Sequence, residues 1–148
     1  METTILNQLY NQATEHEPES IIELPSSGSN RRYFRINGEQ SMVGALGTCV
    51  EENRAFLYLA KHFKEKGLPV TEVYACADDE MAYVQQDLGD TLLFNAIEKG
   101  RATSVFSEEE RQLLIKTIRL LPDIQFAGAV GLDFNVCYPL PEFDARTI

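Results

Sequence analysis

Ser26-Ser27-Gly28-Ser29-Asn30 runs straight into Arg31-Arg32-Tyr33-Phe34-Arg35. Small, flexible residues let successive backbone N–H groups turn inward around an anion. Arginines placed just after them can add forked, charge-assisted hydrogen bonds to a phosphate or carboxylate. The same composition also makes plain turns, and strand arginines commonly face water. Neither G-x-x-x-x-G-K-S/T nor G-x-G-x-x-G occurs, so the two stronger phosphate-loop signatures are missing.

Glu52 is the next candidate. It lies four residues before Phe56, on the helical face that also carries Leu59 and Phe63. A carboxylate on that face needs a cationic partner, unless it is simply solvated and favoured by the helix N-terminus. Asp87-Leu88-Gly89-Asp90 interrupts an apolar strand. Such a break can offer backbone groups to a flat ligand, or it can be a turn with Asp90 capping a helix. Groups for catalysis are scarce. Of the two histidines, His16 sits in a polar linker and His62 on the long helix, and neither begins an H-x-D sequence. Asp133-Phe134-Asn135 superficially resembles a metal-binding D-F-G, but no catalytic loop precedes it, so it reads as coincidence. Cys49, Cys76 and Cys137 are scattered and form no C-x-x-C pair. They point to reduced thiols in the cytoplasm rather than to a disulfide framework or a metal site.

Local signals place these residues on elements. Thr4–Thr14 predicts an amphipathic helix with Ile5, Leu6, Leu9, Tyr10 and Ala13 on one face. Strands are expected at Ile21–Leu24, Arg31–Ile36 and Gln40–Leu46, with Asn37-Gly38 as a hairpin turn between the last two. A long helix comes next, from Cys49 to Lys66, closed by Gly67 with Pro69 beyond. Strands at Val70–Ala77 and Met81–Gln86 flank the acidic turn Asp78-Asp79-Glu80. Thr91–Lys99 reads as helix. Ser107-x-x-Glu110 is a capping box opening another helix to about Leu121, which Pro122 ends or kinks. Five short antiparallel strands with a helix inserted after the third make an α+β layout. The expected division is 1–19 for the helix and linker, 20–90 for the sheet with its inserted helix, and 91–148 for the later helices and the aperiodic tail.

With 148 residues the chain can hold one domain core or one lobe of something larger. Its formal net charge of −10 argues against nucleic acid and anionic membrane surfaces as partners. Against that background the arginines near residue 31 suggest a small anionic ligand. No apolar run approaches the roughly 20 residues that span a bilayer, and the N-terminus lacks the basic and apolar regions of a signal peptide.

Four motifs occur in a set order: Gly28 to Arg35, Glu51-Glu52-Asn53-Arg54-Ala55-Phe56-Leu57, Gly67-Leu68-Pro69-Val70-Thr71-Glu72-Val73 and Gln86-Asp87-Leu88-Gly89-Asp90. Together, over about Ile21 to Ile97, they resemble the N-terminal part of aminoglycoside phosphotransferase-like small-molecule kinases. The nearest likeness is to those that phosphorylate cell-wall amino sugars at the anomeric hydroxyl. The resemblance implies a protein-kinase-like N-lobe that binds ATP, with a sugar or other small molecule as the phosphoryl acceptor. It implies that Ser27, Gly28, Ser29 and Asn30 cover the phosphates. Glu52, in preference to Glu51, would be the acid of the inserted helix. Gln85, Gln86, Asp87 and Leu88 would form the hinge beside adenine, with apolar lining from residues such as Ile36 and Val43. The third strand departs from the pattern, because Gln40–Leu46 contains no lysine to hold the phosphates. Arg31, Arg32 and Arg35 are the candidate replacements. The family's catalytic aspartate, Mg²⁺ ligands and sugar site would lie beyond this chain, which is therefore expected to be inactive alone. A free-standing anion- or protein-binding module and a degenerate pseudokinase are the rival expectations.

Overall fold

The computed structural model describes residues 2–25, 28 and 30–142. Two compact units divide the chain. The first takes in everything up to Asp87 and resumes at Asp133; the second runs Leu88–Leu132. The N-terminal helix thus belongs with the sheet, and the residues after Asp133 rejoin the first unit.

In the first unit, helix α1 (Glu2–Thr14) precedes strands β1 (Ser20–Glu23), β2 (Arg32–Asn37) and β3 (Met42–Leu46). Helix α2 (Val50–Glu65) comes next, then β4 (Val73–Cys76) and β5 (Ala82–Gln86). The strands form one antiparallel sheet in the order β1-β2-β3-β5-β4. This is the expected α+β arrangement with a helix inserted after the third strand.

Side chains alternate across the sheet. One face presents Phe34, Ile36, Met42, Ala82 and Val84, and α1 lays Leu6, Leu9 and Tyr10 upon it to make the core. Gly44 belongs to this packing, since a Cβ there would press on Leu6 and Ile36. The other face carries Tyr33, Arg35, Val43, Ala45 and Tyr83, and the Phe56 ring of α2 stacks on Tyr83. Helices α1 and α2 therefore cover opposite faces of the sheet.

Helix α2 stops where the sequence predicts. Gly67 adopts φ +71. Its N–H donates to the Lys64 carbonyl at 2.9 Å and the Leu68 N–H to Phe63 at 3.0 Å, the paired closure of a Schellman motif. Asn37-Gly38 does not make the expected tight hairpin. Residues 38–41 loop out instead, because Tyr10 packs against Gly38 so closely that a Cβ would collide with its hydroxyl. That hydroxyl donates to the Gln40 carbonyl at 3.0 Å and accepts from the Gln40 N–H at 3.2 Å. The fourth strand is shorter than expected, since Val70 turns back to Leu68 and a register shift between Val73 and Ala75 bulges the edge.

In the second unit, the helix expected over Thr91–Lys99 is broken into α3 (Leu93–Ala96) and α4 (Glu98–Thr103). Ile97 causes the break by leaving the helical region (φ −111, ψ 21) to bury its side chain. Helix α5 (Glu108–Pro122) opens on the predicted capping box and passes into a π-turn at Asp123–Ala127. Among the described residues no helix is long and apolar enough to cross a membrane.

Glu110 joins three parts of this second unit. Its carboxylate accepts from the Ser107 N–H and from the Gly100 N–H, each at 2.8 Å. The backbone bonds from Ser107 and then Gly100 hold its pKa below the ordinary 4.5. A lowered carboxylate pKa means that its contribution to stability is present above 4.5 and lost as pH falls through the folded value. The Gly100 and Ser107 amide resonances should accordingly titrate with a midpoint below 4.5, and the Glu110→Gln variant should show no such step.

Candidate functional site

Arg31 stands just before β2, on the face that also carries Tyr33 and Arg35. Its Nε donates to Asn53 Oδ1 at 3.0 Å and its Nη2 to the Glu52 carbonyl at 3.1 Å. Nη2 also lies 3.2 Å from Glu52 Oε1. The guanidinium carbon sits 5.4 Å from the Phe56 ring centroid, within cation–π range. Phe56 in turn stacks on Tyr83 at 4.9 Å and 22°. The Arg31 side chain keeps 11% of its exposure and Glu52 33%, so the pair is shielded without being sealed from an incoming anion.

Helix α2 brings its share of these groups by spacing alone. Glu52, Asn53 and Phe56 occupy adjoining positions on the first turns. The negative residues Glu51 and Glu52 also suit the positive helix N-terminus. Glu51 is exposed and bonds to the Cys49 thiol, so Glu52 is the acid that faces the arginine.

Tyr83 lies at the floor of this cluster, fully buried. Burial pushes its phenol pKa up; Arg31 opposes the rise, while Tyr33 and Glu52 add to it. Among the described residues the hydroxyl has no partner that meets strict hydrogen-bonding geometry, and the same holds for the buried Oε1 of Gln85.

The other two arginines are placed differently. Arg32 alternates to the α1 face, where it forks onto Glu23 at 2.8 and 2.9 Å and lies over Phe34. Arg35 shares the face of Arg31 but reaches Asp87, with Nε at 2.8 Å and Nη2 at 3.2 Å. Ser41 Oγ donates to the same carboxylate at 2.7 Å. Arg35 thus fastens β2 to the end of β5.

The remaining candidates scatter. Ser27 and Ser29 lie outside the described residues. Gly28 takes φ +77, the left-handed backbone that a turned loop requires, and Asn30 is exposed. Gln86 already uses its backbone within the sheet, donating to the Glu72 carbonyl and accepting from Thr71 Oγ1. The Asp87 carboxylate is committed to Arg35 and Ser41, and Leu88 is exposed at the start of the second unit. Ile36 cannot line a site beside Val43. It belongs to the opposite face and is buried against α1. Asp133 Oδ1 caps its own short turn by accepting from the Asn135 N–H at 3.0 Å.

Asn53 and Tyr83 were not singled out by sequence. Asn53 carried a signal, because positions 53, 56, 60 and 63 fall on one helical stripe and only the first is polar. Surface hollows of the first unit lie elsewhere. One of 320 Å³ runs between α2 and β4 beside Leu57 and Val73. Another of 470 Å³ adjoins Glu51, Arg54 and Tyr138. Neither includes Arg31. Among the described residues no group of three acidic, histidine or cysteine side chains could hold a metal ion.

No protein-family model matches the chain, and no curated protein matches it.

The Arg35–Asp87 pair is well shielded, with side-chain exposures of 22% and 10%. Removing one partner leaves a half-buried charge behind, so Asp87→Ala should cost about 2–3 kcal/mol in a urea melt. Glu23→Ala, which breaks the exposed Arg32 pair, should cost far less.

Proposed function

We propose that the chain is the ATP-binding N-terminal lobe of a protein-kinase-like phosphotransferase that passes the γ-phosphoryl group of ATP to a hydroxyl of a sugar or other small molecule. The observation that carries the reading is the Arg31–Glu52 pair. It joins the start of the second strand to the helix inserted after the third. Kinases pair a lysine on the third strand with a glutamate on the helix that follows it, and that pair must be assembled for the phosphates to be held. The third strand, Met42–Leu46, has no lysine, and Arg31 supplies a cation from the neighbouring strand.

The chain's own groups then have definite tasks. Arg31 holds phosphate oxygens with charge-assisted bonds. Glu52 and Asn53 keep its guanidinium in place, and Phe56 shields one side of it. Gly28 and Asn30 belong to the loop that would close over the phosphates. ATP, when bound, supplies the phosphoryl group. Among the described residues no group of three acidic, histidine or cysteine side chains could hold Mg²⁺. A cytoplasmic setting, where ATP is abundant and thiols stay reduced, fits the three free cysteines.

Arg31→Ala should weaken ATP binding by about tenfold or more, the scale of one lost charge-assisted contact. Adenosine, which has no phosphate, should bind parent and variant alike. Calorimetric titration of both ligands checks this, and equal ATP affinity in the variant would contradict it.

A further inference from the structure

Arg31 is a long side chain with many rotamers, yet α2 engages its guanidinium on two nitrogens. Asn53 supplies the Nε contact, and it is fully buried. Its amide is itself fixed at the other end, because Nδ2 donates to the Glu80 carbonyl at 2.8 Å. An amide that accepts through oxygen and donates through nitrogen has one orientation here, and the flipped form would present a donor to a donor.

The anchor is built for that purpose. Glu80 sits in the β4–β5 turn with φ +58, a backbone uncommon for a residue with a side chain. The turn is held by the Glu80 N–H on Ala77 and by Asp79 Oδ1 accepting from the Met81 N–H. The Glu80 carboxylate also takes both Nε and Nη2 of Arg54, at 2.8 and 2.6 Å, so the turn grips α2 twice. On the remaining side Gly47 leaves room for the Asn53 amide, which any Cβ at that position would strike.

We infer that Asn53 is a positioning residue: it ties Arg31 through α2 to the β4–β5 turn and so presets the guanidinium for a polyphosphate before the ligand arrives. The inference rests on reading Arg31 as the phosphate-holding cation. Prepaid orientation is where such a residue gains affinity, since an unrestrained arginine would lose rotamer freedom on binding.

The test uses the full chain. In the parent, the Arg31 Nε–H should exchange with water at least about tenfold more slowly than a solvated arginine, because it is engaged in a shielded hydrogen bond. This needs no variant, and exchange at the solvated rate overturns the inference. In Asn53→Ala the exchange should speed up, and ATP and pyrophosphate should bind about tenfold more weakly while adenosine affinity stays within about twofold. Asn53→Asp keeps an acceptor for Arg31 and should retain most of the protection. A merely structural role would weaken adenosine and ATP together or leave Arg31 exchange unmoved, and either result overturns the inference. If the parent binds ATP and pyrophosphate but the adenosine-to-ATP ratio is unchanged in Asn53→Ala, the positioning role fails alone. If the parent binds neither, the phosphate reading fails and takes the positioning role with it.

Discussion

A guanidinium ion drawn largely out of water must find a countercharge and enough acceptors, or the fold loses more than the burial gains. Helix α2 offers Arg31 one carboxylate, one backbone carbonyl, one amide oxygen and one aromatic face. The first turns of that helix must therefore lie against the start of β2. That placement constrains otherwise separate features. Gly47 has to be glycine to admit Asn53. The β4–β5 turn has to present its Glu80 carbonyl inward, and Phe56 has to stack on Tyr83.

Strand alternation separates three arginines that look equivalent in the sequence. Arg31 and Arg35 share the face toward α2, whereas Arg32 turns to the α1 face and meets Glu23. Arg35 is then diverted by Asp87, which ties the second strand to the end of the fifth. One sheet face thus carries two shielded arginine–carboxylate pairs, Arg31 with Glu52 and Arg35 with Asp87, and the difference between them lies in the elements they join.

Much of the fold was legible because its signals are local. Gly67 and the Ser107–Glu110 box marked helix ends whose hydrogen bonds are closed within a few residues. The five strands and the inserted helix came from patterns of similar reach. The features that were not legible depend on distant partners. Asn37-Gly38 forms a wider loop because Tyr10, nearly thirty residues earlier, occupies the space beneath it. Ile36 was expected beside Val43 only through the family resemblance, and strand alternation puts the two on opposite faces. The helix over Thr91–Lys99 broke at Ile97, where burial outweighed helical continuity. At the site, Glu52 could be proposed from its helical face, but the choice among three arginines required the register. Asn53 was hidden for a different reason: a polar residue in an apolar stripe announces a buried partner without naming it.

The proposed function turns on binding of an anion by Arg31. Titrating the isotopically labelled chain with pyrophosphate and following its nuclear magnetic resonances tests this most directly. Saturable shifts centred on the Arg31 side chain, the first turn of α2 and Gly28 are expected, with Arg32 and Glu23 on the opposite face left unmoved. Shifts absent from Arg31, or spread evenly over all three arginines, would contradict it.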